Sequence, residues 1–256
     1  LNKIIASDLK QELTLDQLKM IAKKVESKYH TAGYEIVKVI LPQQEFKDNQ
    51  AVKILILEGK LGKVNVVGNK HLSGKFLTQS LTASDIVFGQ AFTLDNLENT
   101  LTKINRQSGS TVKSVLKPGA DIGYTDIDLV INEEKKVNTL LEVNNYGSKS
   151  TGEYRVIPYI DVSNLTGRGD KLSLTGMHTL DGKGSYFANI AYVTPINSTG
   201  SKASAYVSAG NVKVGEQLAI LEIQGDNQAL GLGFQHDFIK SANEFYQFET
   251  WFEGYD

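Results

Sequence analysis

Hydrophobic positions along this chain follow two periods. Up to about residue 134 helical and extended spacings alternate, and from Val137 onward a period of two runs almost to the end. Leu15, Leu18, Ala22 and Val25 fall on one helical stripe. Thr14 and Gln17 have the spacing of a capping box, in which hydroxyl and amide satisfy the free N–H groups of a first turn. The same stripe returns as Leu94, Leu97, Leu101 and Ile104. It opens on Thr93-Leu94-Asp95-Asn96-Leu97, which repeats Thr14-Leu15-Asp16-Gln17-Leu18 at an offset of 79. Gly33 and Gly109 follow the two helices as stop signals.

Each helix is followed by a strand-like run, residues 34–41 and 111–116, and by turn residues, Pro42-Gln43-Gln44 and Pro118-Gly119. Val52, Ile54, Ile56 and Glu58 then match Ile127, Leu129, Ile131 and Glu133 at an offset of 75. The change in offset places a deletion in the helix-to-strand turn of the second copy. Period-two alternation makes these half-buried strands. The second copy also has an entry strand over 63–67, ended by Gly68-Asn69, and a helix around 76–81. It therefore predicts the order β-α-α-β-β. The matching entry strand of the first copy is expected to precede residue 1.

Beyond residue 136 the alternation predicts seven amphipathic strands. Tyr154, Val156, Pro158, Ile160 and Val162 oppose Glu153, Arg155 and Asp161; Leu230, Leu232, Phe234 and Phe238 oppose Gly231, Gly233, Gln235 and Asp237. The run 203–209 is poor in large apolar groups. Apolar residues toward lipid and polar ones toward a lumen is the transmembrane barrel pattern. A soluble sandwich with one wet face shares it. Tyr146, Tyr192 and Phe252 are candidates for interfacial girdles. Seven strands do not close a barrel of this kind, and an open edge in lipid leaves backbone groups unsatisfied. The chain is therefore expected to be cut at both ends, a mature chain or a fragment beginning at Leu1.

The series Leu15, Leu18, Tyr29, Gly33-Tyr34, Leu41-Pro42, Gln44, Val52 and Glu58-Gly59, with Val64-Asn65-Val66-Val67-Gly68-Asn69, resembles polypeptide-transport-associated (POTRA) domains. Specifically it resembles the pair found in two-partner secretion transporters, which export and activate haemolysins and filamentous adhesins. The resemblance implies an α+β fold of two POTRA modules followed by antiparallel transmembrane β-barrel strands, an incomplete barrel. The expected domains are 1–59, 60–135 and 136–256. It also implies a Gram-negative outer-membrane location with the modules in the periplasm. The expected partner is a secreted exoprotein, recognised when an extended segment adds to an exposed strand edge. Candidate partner-binding residues are Tyr34, Ile36, Val37, Val39, Val112 and Val115. For Val37, Val39 and Val112 a core role competes. The resemblance implies that the family's inward barrel loop and plug helix are expected to lie outside this chain. The alternatives are a POTRA–barrel assembly factor (an insertase) and a soluble periplasmic scaffold.

Composition adds mostly exclusions. The chain has 256 residues, 41% hydrophobic, a formal net charge of −2 and no cysteine. Thiolate sites and disulfides are excluded, and no basic tract points to nucleic acid. His30, His71, His178 and His236 lack ligand spacing. Gly231-Leu232-Gly233 sits inside an alternating run and is no nucleotide fingerprint. Asp126 and Asp128 read as a solvated strand face. Arg168-Gly169-Asp170 reads as a hairpin turn, and the sequons at Asn164 and Asn197 as idle. No enzyme, cofactor, metal or nucleotide is expected.

Overall fold

A computed structural model describes residues 13–44, 51–106, 110–182, 184–241 and 244–256. Helix α1 (Leu15–Thr31) opens with the expected capping box. Gln17 N donates to Thr14 Oγ1 (3.3 Å), and Thr14 N donates to Gln17 Oε1 (2.8 Å). Leu18, Ile21, Ala22 and Val25 are buried, whereas Leu15, in the first turn, is half exposed. Strands β1 (Lys38–Ile40) and β2 (Leu55–Leu57) pair antiparallel. Their core joins Ala22, Val25, Val37 and Val39, with Tyr29, Leu41, Ile54 and Ile56 against it.

Both strands are shorter than the alternation predicts, and the reason for the first is local. Tyr34 N donates back to Tyr29 O, and residues 35–36 form a turn instead of a strand. Ile36 is drawn against the core of the second module. Gly59 permits this. Its φ is +63°, and a Cβ there would lie 2.3 Å from Ile36 O, so only glycine fits the joint.

The second module runs β3 (Lys60–Val67), α2 (Gly74–Thr82), α3 (Leu94–Asn105), β4 (Ser110–Pro118) and β5 (Tyr124–Glu133), the predicted β-α-α-β-β. Its sheet order is β3-β5-β4, with β3 and β5 parallel. A parallel pair needs a crossover, which the two helices supply. They cover one face with Phe76, Leu77, Leu81, Leu97, Leu101 and Ile104, meeting Val112, Ile127, Leu129 and Ile131 from the sheet. Burying each such side chain contributes about 1.5–3 kcal/mol.

The remaining strands are β6 (Val137–Asn144), β7 (Arg155–Ser163), β8 (Lys171–Thr179), β9 (Tyr186–Pro195), β10 (Ser201–Lys213), β11 (Gln224–Ser241) and β12 (Glu244–Tyr255). They form one seven-stranded sheet in sequential order, antiparallel throughout and not closed. Register sorts the two faces. Ile160, Leu174, Ile190, Val207 and Leu230 lie side by side on one face. Asp161, Ser173, Ala191, Tyr206, Gly231 and Glu253 lie side by side on the other. The run 203–209, poor in apolar bulk, is nonetheless the middle of the thirteen-residue β10. Gly231 and Gly233 make room for rings on the polar face. A Cβ at 231 would lie 2.1 Å from Tyr206 Cε1, and one at 233 would lie 2.9 Å from the Trp251 ring. Tyr206 thereby reaches Glu253 Oε1 (2.9 Å). Among the described residues no helix is long and apolar enough to cross a membrane.

Candidate functional site

β4 is an edge strand. β5 pairs with one side of it, and among the described residues no strand pairs with the other. The outward main-chain groups are identified by Asn105, at the end of α3. Its Nδ2 donates to Val112 O (2.9 Å), and its Oδ1 accepts from Val112 N (2.5 Å). An amide side chain thus occupies the place of a neighbouring strand at Val112. Because successive residues point opposite ways, Ser114 and Leu116 present the next outward N–H and C=O pairs. Pro118 ends the edge, having no N–H to present. The open stretch is short, bounded by Asn105 and Pro118, and flanked by the exposed Val115.

The first module uses the same device. Glu26 corresponds to Asn105 at the offset of 79, and its Oε2 accepts from Val39 N (2.9 Å). The second repeat pair diverges. Glu58 Oε1 accepts from Tyr29 OH (2.9 Å). This hydrogen bond, together with burial and the carboxylate charge, raises the phenol's pKa. Glu133 instead accepts from Lys70 N (2.8 Å), His71 N (2.8 Å) and Leu72 N (2.9 Å). Burial alone raises its pKa; the three backbone donors outweigh that and hold the carboxyl below its ordinary range.

The structure separates the six sequence-predicted residues into two groups. Val37, Val39 and Val112 have buried side chains, at 5%, 8% and 1% exposure. Any contact with a partner there falls to the main chain. Tyr34 and Ile36 precede β1, with Tyr34 edge-on to Tyr29 and Ile36 in the joint between modules. Val115 alone is an exposed side chain on an edge strand. The residues that shape the edges, Glu26 and Asn105, were legible only as polar residues at equivalent places in the repeat.

Hydrogen bonds and a ring contact among the described residues tie the second module to the sheet. Ser73 N donates to Gly167 O (2.7 Å), and Asn164 Nδ2 donates to Ser110 Oγ (3.2 Å). Arg106, the C-cap of α3, donates through Nε to Asp237 Oδ2 (2.9 Å), and its guanidinium lies 3.7 Å over the Phe245 ring. The 164–170 turn is the β7–β8 hairpin, as expected, with Asp170 fully buried. Its carboxylate accepts from Thr166 N (3.0 Å), Thr166 Oγ1 (2.8 Å) and Tyr192 OH (3.0 Å). Burial opposes ionisation there, yet these donors keep the carboxyl below the usual range. The Arg168-Gly169-Asp170 tripeptide therefore offers no free aspartate, and Tyr192 serves the turn.

The other chemical candidates have structural partners. Asp126 Oδ1 accepts from Lys63 N (2.7 Å). Asp128 accepts from Asn65 Nδ2 (2.8 Å) and pairs with Lys117, and both partners lower its pKa. Among the described residues, no group of three or more His, Asp or Glu side chains is placed to hold a metal ion. Asn197 Oδ1 accepts from Thr199 N (3.0 Å) and Ser201 N (3.1 Å), folding its own turn.

Comparison with known proteins agrees with this architecture. Residues 1–59 match the POTRA domain, ShlB-type, and residues 123–253 match the haemolysin secretion/activation protein ShlB/FhaC/HecB family. The chain is 29% identical over 240 residues to the heme/hemopexin transporter protein HuxB of Haemophilus influenzae, covering 94% of this chain and 42% of that protein. It is 24% identical over 165 residues to the outer membrane transporter CdiB of Dickeya dadantii, covering 64% of this chain and 28% of that one. The chain thus spans less than half the length of these curated relatives. Among solved structures, CdiB from Escherichia coli superimposes with a TM-score of 0.69 at 18% identity, over 100% of this chain and 48% of that one. BamA from Haemophilus ducreyi does so at 0.54 and 17% identity, over 96% of this chain and 46% of that one. These two show the shared fold, POTRA modules followed by strands of an outer-membrane barrel. With half of its residues matched by the family and a sheet whose two faces suit lipid and lumen, the chain belongs to the haemolysin secretion/activation family of outer-membrane transporters.

Proposed function

We propose that this chain forms the recognition modules and part of the barrel wall of a two-partner secretion transporter. Residues 1–59 and 60–135 are periplasmic modules, and 136–256 contribute the first strands of the pore wall. The partner is a large secreted exoprotein of the haemolysin or adhesin type, and its N-terminal secretion domain is the recognised part. The observation that carries this reading is the open β4 edge of a module fastened to the mouth of the sheet. An extended client segment adds to Ser114 and Leu116 by main-chain hydrogen bonds, which tolerate varied sequence, and Val115 beside the edge supplies side-chain contact. In the first module Tyr34, Ile36 and Val37 precede the short β1, and Glu26 already occupies the outward N–H of Val39, so β4 is the edge the client uses. No nucleotide drives the step. Folding of the client beyond the membrane makes its passage directional.

The test is binding of the client's secretion domain to the transporter carrying Ser114→Pro or Leu116→Pro. Each change removes one outward N–H and leaves the β4–β5 bonds in place. Weakening of about tenfold per lost charge-neutral hydrogen bond is expected, near the upper end of its net value. Thr111→Ala, on the same strand, is the control. Undiminished binding with both prolines present contradicts the reading.

A further inference from the structure

Arg106 lies one residue beyond Asn105, which grips the β4 edge. Its contacts beyond its own helix lead to the polar face of the sheet at the end nearest the modules. Asp237 shares the alternating face of Gly231 and Gly233, over which the Tyr206 and Trp251 rings lie. Lys202 pairs in register with Gln235, and Phe245 alternates with Gln247 and Glu249 on that face. The Asp237 side chain is almost fully buried and doubly bound, accepting Arg106 Nε (2.9 Å) and Gln235 Nε2 (2.9 Å). Lys202 Nζ donates to Arg106 O (3.0 Å), one of the carbonyls left free at a helix end. Cation and acid from the strands therefore hold both the side chain and the main chain of one helix-terminal residue. Removing one partner of a buried pair leaves an uncompensated charge.

We propose that Arg106 is a positioning residue, and that its grip by Asp237, Lys202 and Phe245 holds the β4 edge at the lumenal mouth so that a bound client strand is handed to the polar face. This rests on the client reading given above. Asn105 and Arg106 are adjacent, so α3 ties edge and mouth together through consecutive residues. The start of β4 is held to the same rim by the Ser110–Asn164 hydrogen bond. Without the latch the module keeps its own core, since none of those side chains belongs to it. What changes is its orientation relative to the pore.

The test uses the full-length transporter in its membrane, with Arg106→Ala, Asp237→Asn and the exchanged pair Arg106→Asp with Asp237→Arg. Spin labels on cysteines replacing Lys113 and Tyr146 report the distance between module and far rim. Export of client, client binding and heat-modifiable barrel mobility are measured alongside. In the single variants the distance distribution broadens and export falls about tenfold, a usual size for coupling between sites. Client binding and barrel mobility stay unchanged. The exchanged pair restores a narrow distribution and export. An unbroadened distribution in both single variants overturns the latch, and a broadened one with full export overturns its role in hand-over. Failure of the unmodified transporter to bind client overturns the client reading instead, and the distance measurement still decides the latch.

Discussion

Glu133→Ala isolates one carboxylate that organises the entry to α2. Three backbone N–H groups, from Lys70, His71 and Leu72, converge on it at 2.8–2.9 Å. Hydrogen bonds to a charged acceptor are worth about 1.5–3 kcal/mol each when nothing replaces them. The Lys70 and His71 bonds lie at the surface, so water recovers most of their value. The Leu72 bond is partly buried and Leu72 itself is core, so its N–H is left without an acceptor. The expected cost is about 2 kcal/mol, or roughly a thirtyfold rise in local opening. Amide hydrogen exchange over 70–77 in the intact chain measures it, with β5 as internal reference. Glu133→Gln keeps one acceptor oxygen and should fall between. The acid dependence follows from the depressed carboxyl. Its stabilisation is complete above the ordinary carboxylate range and is lost as pH falls through the lowered native value. The Gln variant should show no such loss. Unchanged exchange at Leu72 in the Ala variant, or the same acid loss in the Gln variant, refutes the reasoning.

Two further substitutions probe the sheet and its turn. Gly231→Val places atoms where the Tyr206 ring lies, with a first contact at 2.1 Å. It should displace the ring from Glu253 and destabilise the sheet by about 1–3 kcal/mol. Tyr206→Ala in the same chain should recover most of that loss, as read by the temperature at which the folded barrel band disappears on gels. Asp170→Ala leaves Thr166 N–H and the Tyr192 hydroxyl without their acceptor in a buried turn. A cost of about 2–3 kcal/mol is expected, seen as faster proteolysis at 164–170. The native turn should loosen only in acid, below the ordinary carboxylate range, because the Asp170 carboxyl titrates low. Loosening near neutral pH would contradict that assignment.

The repeat at 79 and then 75 residues was readable because each copy must bury the same helix stripe against the same strand, and burial fixes apolar spacing. Thr14 and Thr93 both cap their helices, as their positions implied. The seven strands were equally legible, since a sheet with two different faces enforces a period of two. Where alternation failed as a guide, a long-range contact had intervened. Residues 34–37 carry strand-like side chains, yet Ile36 is pulled into the neighbouring module through Gly59, and the strand begins only at Lys38. Leu15 belongs to the helical stripe by spacing but lies beyond the reach of the core.

By itself the sequence determined which residues are apolar in which order, and hence the β-α-α-β-β module, the strand series and the family resemblance. It could not determine which backbone groups lack partners, because pairing joins strands distant in the chain. Only the tertiary structure decided that Asn105 fills the edge at Val112 and that, among the described residues, no strand pairs with the outer side of Ser114 and Leu116. It also decided that Arg106 meets Asp237, a contact across 131 residues. Such polar contacts have no period. Their energy depends on distance and burial, which exist only once the modules and the sheet have come together.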